Sequence, residues 1–149
     1  MSRSILVALL GLTACTSRVR QASPDQVLGC YVLGWPGGIP QLAAPFPDTI
    51  RLESAELVDP WTTVNRHVLG RRVEVVGDTQ RFHGVFWWNV ENDSITIVKS
   101  DGYSGEVVRL VRKGDGVSGL GHAFSDVVVE NAPPAPTYPV VGQRIECAR

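Results

Sequence analysis

The chain has 149 residues and nearly balanced charge, with 14 Lys and Arg against 15 Asp and Glu, and 44% of its residues are hydrophobic. That is one domain's worth of chain with enough apolar material for a core. It is not the composition of a nucleic-acid binder: the densest basic clusters, Arg71-Arg72 and Arg109-x-x-Arg112-Lys113, are flanked by apolar or acidic residues and form no basic stripe.

The first element is a leader. Arg3 precedes a short apolar run, Ile5 to Leu10 with Leu12, and two small residues then precede Cys15. This is the order of a secretory signal, and the run falls short of the roughly 20 apolar residues that span a bilayer. Leu12-Thr13-Ala14-Cys15 resembles the lipobox of bacterial lipoproteins. The resemblance implies cleavage before Cys15 and attachment of lipid to it, hence a palmitate-type anchor in the bacterial cell envelope. In that family an Asp after the cysteine implies inner-membrane retention. Thr16 stands there, which implies the outer membrane, facing the periplasm. Residues 1–14 are thus read as signal peptide, 15–25 as lipidated tether and 26–149 as the folded domain.

From Val27 onward apolar residues do not recur at helical spacing, and short β-rich runs are broken by Gly, Asp and Asn. Eight strands are predicted: Val27 to Gly34, Thr49 to Ser54, Arg66 to Val76, Arg81 to Asn89, Ser94 to Lys99, Gly105 to Arg112, Gly116 to Phe124 and Val140 to Cys147. Tight-turn chemistry joins them at Gly77-Asp78, Glu91-Asn92-Asp93, Asp101-Gly102 and Gly114-Asp115-Gly116. The expected fold is all-β, a small antiparallel meander barrel of roughly eight strands. Residues 35–48 and 131–139 hold four prolines each and read as long loops. The glycines of Gly116-x-x-Gly119-x-Gly121 precede no helix and no P-loop lysine, so they read as sites of close packing rather than phosphate binding.

Beyond Cys15, Cys30 and Cys147 remain, near the two ends of the domain. An exported chain favours a disulfide between them. Closing a loop of more than 100 residues stabilises by about 4 to 5 kcal/mol in the chain-entropy model.

Gly29-Cys30-Tyr31-Val32-Leu33 resembles the first strand of the lipocalins, which carries a Gly-x-Trp with an arginine from the barrel's end packed on the ring. Tyr31 stands for the tryptophan, Arg144 is the matching arginine, and a cation–π contact is the implied link. Two short ends of the chain carry this likeness, and no Thr-Asp-Tyr motif accompanies it.

Catalytic chemistry finds little support. Ser104, His122 and Asp126 can be drawn as a triad, but no Gly-x-Ser-x-Gly elbow surrounds Ser104. His67, His83 and His122 sit in separate strands without ligand spacing, and Asp93, Asp101, Asp115 and Asp126 sit in or beside separate turns. No cofactor, metal or catalytic residue is predicted. The aromatic set is richer. Adjacent Trp87 and Trp88 must face opposite sides of a strand, one inside the barrel and one outside beneath a proline-rich loop or at a partner surface.

The expected protein is a monomeric, non-enzymatic lipoprotein that holds a small apolar ligand. Phe82, Phe86, Trp88, Ile95 and Ile97 would form its wall. The alternative is a solid barrel that binds a protein or envelope component.

Overall fold

The computed structural model describes residues 23–38, 46–64, 66–127 and 133–147. Residues 1–22, Cys15 among them, lie outside the described residues, as do parts of both proline-rich segments. Eight strands follow in order: β1 (Gly29–Gly34), β2 (Thr49–Val58), β3 (Val68–Val75), β4 (Val85–Glu91), β5 (Ser94–Ser100), β6 (Ser104–Lys113), β7 (Gly116–Ser125) and β8 (Thr137–Ile145). Each pairs antiparallel with the next, and β8 returns to β1, closing a barrel. Cys30 and Cys147 are disulfide-bonded with their Cα atoms 5.2 Å apart. The bond sits beside the closing seam, where Cys30 pairs with Ile145.

Strand alternation fills the interior. Trp88, Ile50, Ile95, Ile97, Leu110, Val108 and Val140 are essentially without solvent contact and belong to one cluster with Tyr31, Leu33, Leu52, Val73 and Phe86. The Trp88 indole N–H is satisfied by the Glu53 carbonyl at 2.9 Å, and the Arg71 guanidinium lies 5.4 Å from the ring centre.

The two ends of the barrel close differently. At the lower end a single helical turn, α1 (Pro24–Val27), begins with the proline at its first position and buries Val27 completely. The Tyr31 hydroxyl donates to the Val27 carbonyl at 2.9 Å, and the Arg144 guanidinium donates to the Leu28 carbonyl at 2.6 Å. Tyr31 and Arg144 are register partners. Arg144 lies across Gly29 toward the Leu28 carbonyl, and the cation–π contact among the described residues is that of Arg71 on Trp88. At the upper end, where β1, β3, β5 and β7 finish, Tyr138, Trp35, Phe46 and Phe86 form an edge-to-face chain of rings 5.6 to 5.9 Å apart.

Several strand bounds differ from expectation, each for a local reason. Val27 belongs to α1 rather than β1, because Pro24 starts a helical turn there. β2 runs on from Ser54 to Val58 through register shifts against β3, the mark of a bulge that sequence alternation does not reveal. β4 starts at Val85 instead of Arg81. Asp78 caps a turn of 3-10 helix at Thr79–Arg81, and Gly84 has φ +114°, which breaks the extended run. β8 takes in Thr137 to Pro139, three residues of the expected loop. β1 pairs with β8 only as far as Val141, so Pro139 has a strand neighbour on one side alone, where proline is tolerated.

A polar floor beneath the upper mouth

Alternation carries two charged side chains inward as well. Lys99 continues the inward face of Ile95 and Ile97, and Glu106 begins that of Val108 and Leu110. The two are direct register partners, and Glu106 pairs on its other side with Ala123 of β7. Glu106 is 0% exposed and Lys99 6%. Tyr138 reaches Glu106 from β8 across the bare backbone of Gly121, where any Cβ would collide with the tyrosine ring. Its hydroxyl donates to Glu106 Oε2 at 3.1 Å. Glu106 Oε1 has no hydrogen-bond partner among the described residues.

The electrostatics follow from burial. Desolvation raises the pKa of Glu106 above the ordinary carboxylate value, against the opposing Tyr138 hydrogen bond and Lys99 charge. Desolvation lowers that of Lys99, with Glu106 and Asp101 opposing. Tyr138 is pushed well above the ordinary phenol value by burial and then by Glu106.

A cavity of ≈ 470 Å³ opens at this mouth. Lys99 and Ala123, which flank Glu106 in the register, line it, together with Gly105, Phe124 and Ala135. Arg81 and His83 overhang it from the β3–β4 connection. The cavity thus lies on the β5–β7 side of the mouth, while Trp35 and Phe46 cover the other side.

The residues expected to form an apolar wall sit elsewhere. Phe86, Trp88, Ile95 and Ile97 are buried in the core cluster, and Phe82 packs against it half-buried. None of the five lines the mouth cavity. Trp87 faces outward, and Trp61 of the β2–β3 connection packs on it edge to face, with ring centroids 6.2 Å apart. The drawn triad does not assemble: the Ser104 hydroxyl donates to Asp101 Oδ2 at 3.0 Å. His67 pairs with Asp59 at 3.5 Å. Among the described residues no three His, Cys, Asp or Glu side chains group as a metal site.

Lys99, Glu106 and Tyr138 are the site residues that the sequence reading missed. The signal for the first was available, since Lys99 is one alternation step beyond Ile97. Glu106 needed the β5–β6 register, and Tyr138 was hidden among prolines. No family model matches the chain, nor does any curated protein or solved structure.

Proposed function

We propose that this protein is a lipid-tethered, non-enzymatic binding module of the bacterial envelope, with its ligand seat at the upper mouth of the barrel. The observation that carries the reading is the polar floor. An otherwise self-filled barrel buries Lys99 and Glu106, leaves Glu106 Oε1 without a hydrogen-bond partner among the described residues, and opens beside them a cavity of ≈ 470 Å³ that Lys99 lines. The volume lies in the ~300 to 1,000 Å³ range of small-molecule sites. The lining also bears on the chemistry of the ligand. Apolar side chains occupy the barrel centre themselves, so the seat is shallow and takes a molecule with a polar end.

The anchor is lipid on Cys15, the address the outer membrane facing the periplasm, and the protein acts as a monomer. The leader sequence supports the first two. A second reading, a solid barrel that serves as an interaction module for an envelope protein, is favoured by the packed core around Trp88 and by the half-exposed Trp61 on the outer wall. Native mass spectrometry of protein purified from membranes separates the two. A bound small molecule, released on unfolding, supports the binding module. A bare protein mass together with a co-purifying protein partner supports the other.

A further inference from the structure

We infer that the outer wall formed by β7, β8 and β1 docks on an anionic lipid surface. This rests on the reading of the protein as lipid-tethered and adds which face of the barrel the tether brings to the bilayer.

The wall is set apart by what its outward positions lack. Alternation turns Leu120, Pro139, Val141, Val32 and Ile145 to the outside, and no outward residue of the three strands is Asp, Glu, Lys or Arg. Val32, Leu120, Val141 and Ile145 are between 39% and 54% exposed. The register joins these side chains into one field: Leu120 pairs with Pro139, Val141 with Gly34, and Val32 with Gln143. A groove of ≈ 610 Å³ indents the field at the β1–β8 seam, where Gly34 and Gly142 put no side chain between Val32, Val141 and Ile145. A contiguous exposed apolar face marks a contact with a partner or a membrane.

The charges at its edges select the membrane. Arg109 and Lys113 face outward on β6, as direct register partners of Leu120 and Gly116. On the β2 side Arg51 pairs with Glu74 at 2.9 Å. The acids Asp115 and Glu146 stand at the lower rim, in one pocket with Arg112 and Arg144, and Asp115 also borders the groove. The rim is therefore balanced, and the flank along β6 is cationic. A second copy would bring Arg109 and Lys113 no anion, because the face carries none, whereas anionic headgroups would. Apolar burial and attraction to anionic lipid add in holding a protein surface on a bilayer. The tether agrees in place and in charge. Cys15 lies eight residues before Ser23, which precedes α1, and α1 leads directly into β1. At most ~28 Å of chain, about the diameter of a small domain, joins the anchor to the foot of this wall. Residues 16–22 include Arg18 and Arg20 and no acid. Their apolar side chains are Val19 and Ala22, too few to cover the face themselves.

The test places the full-length protein, purified from membranes, in nanodiscs of phosphatidylcholine mixed with phosphatidylglycerol, and a nitroxide on the lipid headgroups reports proximity through amide NMR signals. The nitroxide should attenuate the Leu120, Val141 and Val32 amides at least threefold more than those of Arg72 and Trp87, register partners on the opposite wall. Leu120→Asp combined with Val141→Asp alters exposed positions, so the spectrum should stay folded and the protein should stay on the nanodisc. The contrast between the walls should vanish in that variant, and its survival there would overturn the docking. Equal attenuation of both walls in the unaltered, retained protein, or stronger attenuation at Arg72 and Trp87, would also overturn it and leave the tether in place. Wall amides without attenuation, together with two copies per nanodisc, would give the face to a second copy and equally overturn it. A protein that leaves the nanodisc once detergent is removed fails the tether, and the docking falls with it.

Discussion

Inside the barrel, the Tyr138 hydroxyl donates to Glu106 Oε2 at 3.1 Å, joining β8 to β6 across the width of β7. β7 permits this because its residue at that level is Gly121. A glycine, a tyrosine and a buried acid therefore form one unit under the mouth, and two of the predictions that follow depend on it.

Stability should vary with pH through Glu106. Its folded-state pKa is raised above the unfolded value near 4.5, chiefly by burial, so the folded state holds the proton more tightly. The stability this gives is fully present below the unfolded pKa and declines as pH rises through the folded one. Lys99 acts in the opposite sense. Burial depresses its pKa below 10.5, and its contribution is lost as pH falls through the folded value. Tyr138, raised above 10.0, loses its contribution as pH rises beyond the ordinary phenol range. Urea midpoints measured from about pH 5 to pH 8 should fall with pH in the native protein and fall less in Glu106→Gln. Parallel profiles for the two proteins would show that Glu106 titrates normally.

Gly121→Ala should destabilise by about 1 to 3 kcal/mol, because a methyl there meets the Tyr138 ring and the core must shift. Chemical denaturation of the variant measures this. Pairing it with Tyr138→Phe tests the geometry, since the steric penalty should persist after the hydroxyl is gone. A neutral Gly121→Ala would mean that the ring does not lie over β7.

Trp88→Ala should cost about 3 to 5 kcal/mol, since the indole is wholly buried and its N–H is held by Glu53. Ligand binding at the mouth should survive in whatever fraction of that variant stays folded. Chemical denaturation of the variant, with native mass spectrometry of its folded fraction, gives both quantities.

The Cys30–Cys147 bond closes a loop of 117 residues in sequence separation. Replacing both cysteines by serine should remove about 4 to 5 kcal/mol of stability, less any strain relieved. Denaturant midpoints of the oxidised protein and the double variant report this. Non-reducing alkylation followed by mass spectrometry should find no free thiol at either position.

Labelled palmitate should enter the chain, and Cys15→Ser should abolish the label and release the protein from membranes. Label retained in the variant would remove the anchor from the account while leaving the mouth site untouched.

Much of the barrel was legible because its strands obey local rules. Phe86 with Trp88, and Ile95 with Ile97, alternate cleanly, and Asn92-Asp93 and Gly114-Asp115 mark their hairpins. Where tertiary packing overrides local preference, the reading failed. Pro139 argues for a loop, yet the Tyr138 ring is drawn inward to Glu106 and the strand begins before the proline. Arg81 and Phe82 read as strand, yet Gly84 turns the chain before β4 starts. The place of Phe82, Phe86, Trp88, Ile95 and Ile97 in or against the core, away from the mouth cavity, was not legible for a related reason. Alternation shows which side chains share a face, but whether they line a cavity or fill it depends on cross-barrel packing around Trp88. A charged pair inside a barrel is visible only when Lys99 and Glu106 are known to be register partners, a nonlocal fact.

The central claim is that the ligand sits on the Lys99–Glu106 floor at the upper mouth. Ala123→Trp fills that cavity, whereas Val111→Trp alters an exposed position on β6 toward the lower end. Native mass spectrometry of both variants, purified from membranes beside the unaltered protein, compares the bound small-molecule mass directly. The account predicts that Ala123→Trp, folded by circular dichroism, loses the bound mass while Val111→Trp keeps it. A bound mass that persists undiminished in Ala123→Trp would contradict it.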